Sequence, residues 1–325
     1  MGSSEAVERF FCFGAPCAVL VIGAGREGSA LAAARAARGQ LLEWHHRFSR
    51  FLPTSELSLL NSDLRAEVPV SALMARLARA AARAGAMTGG LVDATLIEEI
   101  ESAGYRDALP EPVPLATALR LAPARRPAAA SKERSWELLQ VDPAASTVSR
   151  PPGVKLDSGG LVKGLLADVL AERLADRAGF AINCGGDLRF GGTAGIAREL
   201  RVESPFDGGI VHSFALGRAG VATSGIGRRS WTLDDGRPAH HLLDPSSGES
   251  AFTGVVQVTA LASSALLAEI RAKAAVLSGA ECARSWLPDG GVIVFDDGSH
   301  EVVEPPARML AAGTYGVSET RLSIR

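Results

Sequence analysis

Aromatic residues are scarce in this 325-residue chain, at 5%, which counts against base stacking on nucleic acid as its working principle. An excess of basic charge is also missing. The 34 Lys and Arg face 36 Asp and Glu, for a formal net charge of -2 and a pI near 6.3, so no positive field favours nucleic acid. The four cysteines (Cys12, Cys17, Cys184 and Cys282) include no CxxC pair and no histidine stands at zinc-finger spacing. Buried free thiols in a reducing compartment are the expectation. No apolar run is long enough for a membrane helix: the longest, 10–25, is interrupted by Pro16 and falls short of the ~20 residues a span needs. Glu5 and Glu8 precede it, where a signal peptide would carry positive charge. It is read as a buried strand, and a cytoplasmic protein is expected.

What is present is an ordinary globular composition, 47% hydrophobic and 22% charged, with length enough for a sizeable core. The β-branched run at 17–22 reads as a strand and the Ala- and Leu-rich segment 27–47 as a helix. Ser71 caps a second helix over 72–84, ended by Gly85. A third helix is expected over 161–178 and a late one over 264–277. Between and after them β-type runs dominate, at 180–184, 199–203, 210–216, 231–234 and 254–261. Asp235-Gly236 marks a hairpin turn, and a final hairpin spans 292–303 around Asp296, Asp297 and Gly298. Strands without regularly alternating helices point to an α+β fold. One domain over 1–325 is expected, with a Pro/Ala-rich surface insertion at about 108–132.

Gly23, Gly25 and Gly28 form a GxGxxG pattern after a strand and before a helix, with Glu43 about 20 residues on. This is the case for a dinucleotide-binding turn and a nicotinamide oxidoreductase. A βαβ unit then requires an apolar parallel strand after the helix. The chain instead continues Glu43-Trp44-His45-His46-Arg47-Phe48, which disfavours that alternative.

Glycine pairs recur beside polar residues. Asp157-Ser158-Gly159-Gly160 leads into a helix carrying Lys163 and Gly164, a strand-to-helix junction whose free N–H groups and dipole suit phosphate. Lys163 adds a cation able to meet a diphosphate oxygen. Asn183-Cys184-Gly185-Gly186-Asp187 ends an apolar strand. Ala222-Thr223-Ser224-Gly225 offers hydroxyl donors, Thr223 among them. His241 stands near Asp244, an imidazole that titrates close to neutrality beside an acid.

In order, these segments resemble the ApbE family of FAD:protein FMN transferases. The early segment with Phe48, Ser49, Arg50, Phe51, Pro53, Ser55 and Asn61 looks like its first signature. Gly90-Leu91-Val92-Asp93-Ala94-Thr95 is similar to its G-x-F-D-x-T element, with Val92 in place of the aromatic. The block from Asp157 to Asp168 matches its D-x-G-G-x-x-K-G-x-x-x-D pattern. The resemblance implies mixed and antiparallel sheets of the T-fold-like type with flanking helices. It implies an FAD site contacted by Phe13, Phe51, Leu91, Val92, Asp93, Asp157, Lys163, Thr223 and Leu242. It also implies a reaction: FAD is cleaved, FMN is joined by a phosphoester to a Thr or Ser of an acceptor protein, and AMP leaves. Lys163 and His241 are the catalytic candidates, as diphosphate cation and base. A non-catalytic FAD carrier and an FAD pyrophosphatase remain the alternatives.

One position departs from the pattern. The resemblance implies Mg2+ held by a carbonyl at Gly160, an acid at Glu269 and a threonine four residues on, where this chain has Lys273. Magnesium takes oxygen ligands at about 2.1 Å, and a protonated amine is not one. Glu269 and Lys273 are instead spaced for an i,i+4 salt bridge, so a bound Mg2+ is doubtful.

Overall fold

The computed structural model describes residues 5–26, 28–107, 112–310 and 322–324. The chain opens with β1 (Ala6–Cys12), β2 (Ala15–Ile22), α1 (Ala30–Phe48) and the short α2 (Glu56–Ser62). β3 (Glu67–Pro69), α3 (Ala72–Thr88), α4 (Ile97–Ser102) and α5 (Leu115–Leu121) follow. Next come β4 (Gln140–Asp142), β5 (Thr147–Ser149), α6 (Val162–Arg173), β6 (Gly179–Cys184) and β7 (Asp187–Gly191). β8 (Arg198–Glu203), β9 (Ile210–Leu216), β10 (Ala219–Gly225), β11 (Ser230–Thr232), β12 (Pro238–His240) and β13 (Val255–Ala262) precede α7 (Ala265–Ser278). The described chain ends with α8 (Ala280–Ala283), β14 (Gly291–Phe295), β15 (His300–Val303) and β16 (Leu322–Ile324).

An 8-stranded sheet, ordered β1-β2-β6-β7-β10-β13-β14-β15, forms the centre. Each neighbouring pair in it is antiparallel, so the α+β expectation holds. The sheet is covered on both faces. Val19 and Val21 join one core cluster with Leu41, Trp44 and Phe48 of α1, while Ala18 and Leu20 face a second. Successive strand residues point to opposite faces, which explains why 17–22 is apolar without alternation.

Several expectations are corrected. The run 10–25 is not one strand: β1 turns back into β2 at Phe13 and Gly14, both left-handed with φ of 54° and 68°, the requirement of a type I′ hairpin. β2 is antiparallel to both β1 and β6, so the dinucleotide-binding βαβ reading fails. Glu27 of the GxGxxG pattern lies outside the described residues. Gly25 is instead needed because a Cβ there would sit 2.7 Å from Arg177 Nε. Gly85 does not end α3. The Trp136 ring lies against it, and the helix runs on to Gly89, left-handed at φ 61°.

Residues 108–111 lie outside the described residues, but the rest of the expected insertion is anchored. Leu115 and Ala118 of α5 are buried, and the backbone N–H groups of Arg126 and Ala128 donate to Phe252 and Leu277. The segment 222–225, read for its hydroxyl donors, lies in β10, a strand in mid-sheet. Its small residues admit α7: a Cβ on Gly220 would lie 2.0 Å from the Ser264 carbonyl carbon. Sequence propensity alone does not favour a strand of Gly, Ala and Ser.

Candidate active site

The Asp157–Gly160 junction and the β1–β2 turn border a cleft of about 800 Å3, within the ~300–1,000 Å3 range of small-molecule sites; the segments 183–187 and 222–225 do not line it. Its wall comes from the β1–β2 turn, the end of α1, residues 49–52 and 91–94, the 157–163 junction, Arg228, Arg229, residues 241–243 and Lys273. Phe13, Phe51, Leu91, Val92, Asp93, Asp157, Gly160, Lys163, His241, Leu242 and Lys273 are therefore brought together. Glu269 lies beneath the wall, 1% exposed. Thr223 does not line the cleft: its hydroxyl meets that of Thr259 at 2.8 Å across β10 and β13.

The 157–164 junction is tied to distant elements. Asn61 bonds the backbone of Leu156 in both directions, at 2.8 and 2.9 Å. The Asp157 N–H donates to Ala94 O at 2.7 Å, and Ser158 Oγ donates to Phe48 O at 2.7 Å. The first turn of α6 is not free for phosphate as expected. Val162 N–H donates to Ser158 O, and Gly164 N–H donates to Glu269 Oε2 at 3.0 Å. The carboxylate thus already occupies the positive end of the helix.

Charge gathers at this point. Lys163 Nζ lies 2.5 Å from Asp187 Oδ2, and Asp187 is 1% exposed. Burial pulls the Lys163 ammonium down, but Asp187 and Glu269 outweigh it and hold its pKa above the ordinary lysine value. Glu269 Oε1 accepts from Lys273 Nζ at 3.1 Å, the i,i+4 pair expected from the sequence. Burial first, and then the Asp187 charge, push the Glu269 carboxyl up to about 7.

A second part of the wall is aromatic. The Arg50 guanidinium lies 4.5 Å from the centres of both the Phe51 and Tyr105 rings, a cation–π contact on each side. Arg50 Nη2 donates to Tyr105 O at 2.5 Å, and the Phe51 and Tyr105 rings are 5.8 Å apart. Asp93 accepts from the Thr95 N–H and hydroxyl, at 2.8 and 2.5 Å. Burial raises its pKa despite these bonds.

His241 does not pair with Asp244. Asp244 accepts from Ala129 N–H, Ser246 N–H and the Ser246 hydroxyl, so it fixes the turn that contains Pro245. His241 is held instead by its N–H donating to Arg229 O at 3.2 Å. Its buried Nδ1 has no hydrogen-bond partner among the described residues. Burial, with Arg229, His240 and Lys273 nearby, lowers its pKa well below the ordinary value. The imidazole is neutral and offers a lone pair.

The metal implied by the resemblance does not fit the residues present. Both Glu269 oxygens are engaged, one by a backbone N–H and one by an ammonium. Position 273 carries a cation where an oxygen donor is needed.

Sequence reasoning missed Arg229, whose Nη2 donates to Phe13 O at 3.3 Å beside the β1–β2 turn. Its only signal is a basic pair after Gly225-Ile226-Gly227. Tyr105 and the Asp187–Lys163 pairing were missed as well. Cys12, Cys17 and Cys184 are buried free thiols, whereas Cys282 is an exposed one.

The ApbE family profile matches residues 13–294. The FAD:protein FMN transferase of Salmonella typhimurium is 29% identical over 237 residues, covering 70% of this chain and 65% of that protein. The chain thus matches just under two thirds of that relative's length. The FAD:protein FMN transferase of Vibrio cholerae is 26% identical over 275 residues, 80% of this chain and 79% of that one. The fold is that of the crystallised ApbE protein of Thermotoga maritima, with a TM-score of 0.74 at 23% identity over 93% of this chain and 97% of that one. The Vibrio cholerae flavin transferase ApbE has a TM-score of 0.71 at 20% identity over 95% and 100%. On the profile match across most of its length, supported by this likeness of fold, the chain belongs to the ApbE family.

Proposed function

We propose that this protein is an FAD:protein FMN transferase, cleaving FAD and attaching its FMN half to a Thr or Ser of an acceptor protein. The observation that carries the reading is one cleft with buried paired cations on part of its wall and an Arg–aromatic stack on another. A dinucleotide has the matching parts, a charged diphosphate and planar rings. In this reading Lys163 meets the diphosphate, with Asp157 at the ribose-phosphate region. Phe51, Phe13, Leu91, Val92, Asp93 and Leu242 contact the rest of the nucleotide.

The acceptor hydroxyl oxygen attacks the FMN phosphorus and forms a P–O bond. The anhydride P–O bond breaks, and AMP leaves with the electron pair. The hydroxyl proton passes to His241, whose imidazole is neutral and has an Nδ1 without a hydrogen-bond partner among the described residues. Such a transfer depends on positioning and charge neutralisation. Lys163 and Arg229 supply fixed positive charge at the cleft, and Asp187 keeps Lys163 protonated and in place.

A cytoplasmic setting is part of the same proposal, supported by four unpaired cysteines. No helix among the described residues is long and apolar enough to cross a membrane. Incubation with FAD, with and without a threonine-containing acceptor protein, tests the function by following AMP and protein-bound flavin. Acceptor-dependent release of both is expected. AMP release without acceptor would mark a pyrophosphatase, and tight FAD without AMP a carrier; either outcome overturns the transferase reading.

A further inference from the structure

Resting on the flavin reading above, we infer that Lys273 is a built-in replacement for a divalent cation, so that this chain binds the FAD diphosphate without magnesium. Glu269 and Lys273 stand one helical turn apart on α7, with Nζ 3.1 Å from Oε1. The carboxylate is 1% exposed and the lysine side chain 13%. The acid therefore anchors from below, while the lysine reaches the cleft wall.

Gly160 makes room for this. A Cβ at that position would approach Lys273 Cε at 3.2 Å, so the lysine stem lies directly over the glycine backbone. The same glycine carbonyl is the one the resemblance assigns to the metal. The other Glu269 oxygen accepts from Gly164 N–H at 3.0 Å, which fixes the carboxylate against rotation. A divalent ion entering here would meet an ammonium in contact with its intended ligand, and a protonated amine has no lone pair to give.

Charge supports the same conclusion. Lys163, Arg229 and Lys273 line the cleft, as do Asp93 and Asp157, while the carboxylates paired with the two lysines, Asp187 and Glu269, are each 1% exposed and lie behind the wall. The cations are covalently tethered and already desolvated, so they need no recruitment from solution.

Calorimetric titration of FAD into EDTA-treated protein, with and without added Mg2+, tests this, alongside Mn2+ titration followed by electron paramagnetic resonance. The wild-type Kd is expected to differ by less than about twofold between the two conditions, with Mn2+ remaining free. Lys273→Met is expected to weaken FAD by about tenfold without recovery in Mg2+. The double variant Glu269→Asp with Lys273→Thr is expected to bind FAD weakly in EDTA, to recover in Mg2+ and to bind Mn2+. Tightening of wild-type binding by Mg2+ of about tenfold or more, stoichiometric Mn2+ on the wild type, or unchanged affinity in a folded Lys273→Met overturns the inference. The wild-type arm decides even if the variants do not fold. Mg2+-dependent binding would defeat only the tethered cation, whereas absence of FAD binding in both conditions would defeat the flavin reading itself.

Discussion

The charged and aromatic parts of the cleft wall are built on opposite principles. The charged part comes mainly from regular elements, α6, α7 and β7, with Arg229 added from the bend before β11, and Asp187 and Glu269 are each buried behind a lysine. The aromatic part comes from irregular chain at 50–51 and 105, and Phe51 is 43% exposed. A buried ion pair cannot lose one partner without leaving an uncompensated charge, so the first part is coupled to the stability of the fold. An exposed ring has little stability to lose, so the second is free to serve a ligand alone. Substitutions in the two parts should therefore separate stability from binding.

The largest effect is expected at Lys163. Lys163→Met leaves Asp187 buried and unpaired, costing about 3–5 kcal/mol in chemical denaturation and abolishing measurable flavin transfer. A variant as stable as the wild type would show that the two parts do not differ in this way.

His241→Ala is next, with an expected fall in kcat of about 10²–10⁴-fold and little change in FAD affinity. Because its pKa is lowered well below the ordinary value, His241 stays neutral through the physiological range. The wild-type kcat/KM profile should therefore show no histidine acid limb near neutrality. A limb near the ordinary histidine value that persists in Glu269→Gln, and so does not come from the Glu269 carboxyl at about 7, would assign the base elsewhere.

Behind the cleft, His240 offers a stability test. Burial takes its pKa from the ordinary 6.5 down to about 3, so the unfolded chain binds the extra proton first as pH falls. Its contribution is whole above about 6.5 and is lost on acidification through that window, amounting to about 2 kcal/mol by about pH 5. His240→Gln should flatten this limb in urea titrations; an unchanged slope would refute the assignment.

The smallest effect is expected at Phe51. Phe51→Ala should weaken FAD by about 0.5–1.5 kcal/mol, the scale of an aromatic contact, and leave the melting temperature unchanged. A large loss of stability would place the ring in the core.

Much of this was legible in the chain. Ser71 caps its helix as read, its side chain accepting the N–H of Met74; Ser264, read as the first residue of the late helix, is its cap instead. The Glu269–Lys273 pair followed from helical spacing alone. Legibility ended where distant segments meet. Gly85 reads as a helix stop until Trp136 is seen packed upon it. Asp244 lies three residues from His241 in sequence yet serves the chain at Ala129. Thr223 belonged to a recognisable motif, but the alternation of β10 turns its hydroxyl to Thr259. Arg229 carried no signal beyond its place in a basic pair, because its position depends on the β1–β2 turn more than 200 residues earlier.

The most direct test of the central claim is a crystal structure of the protein with FAD. The account predicts the diphosphate within hydrogen-bond distance of Lys163 Nζ, with the nucleotide lying in the cleft that Phe51 lines. A second cavity of about 670 Å3 is lined by Arg76, Arg79, Arg83, Arg189 and Arg218 and offers an anion a competing place. Finding the diphosphate there, with the cleft at Lys163 free of nucleotide, would contradict the account.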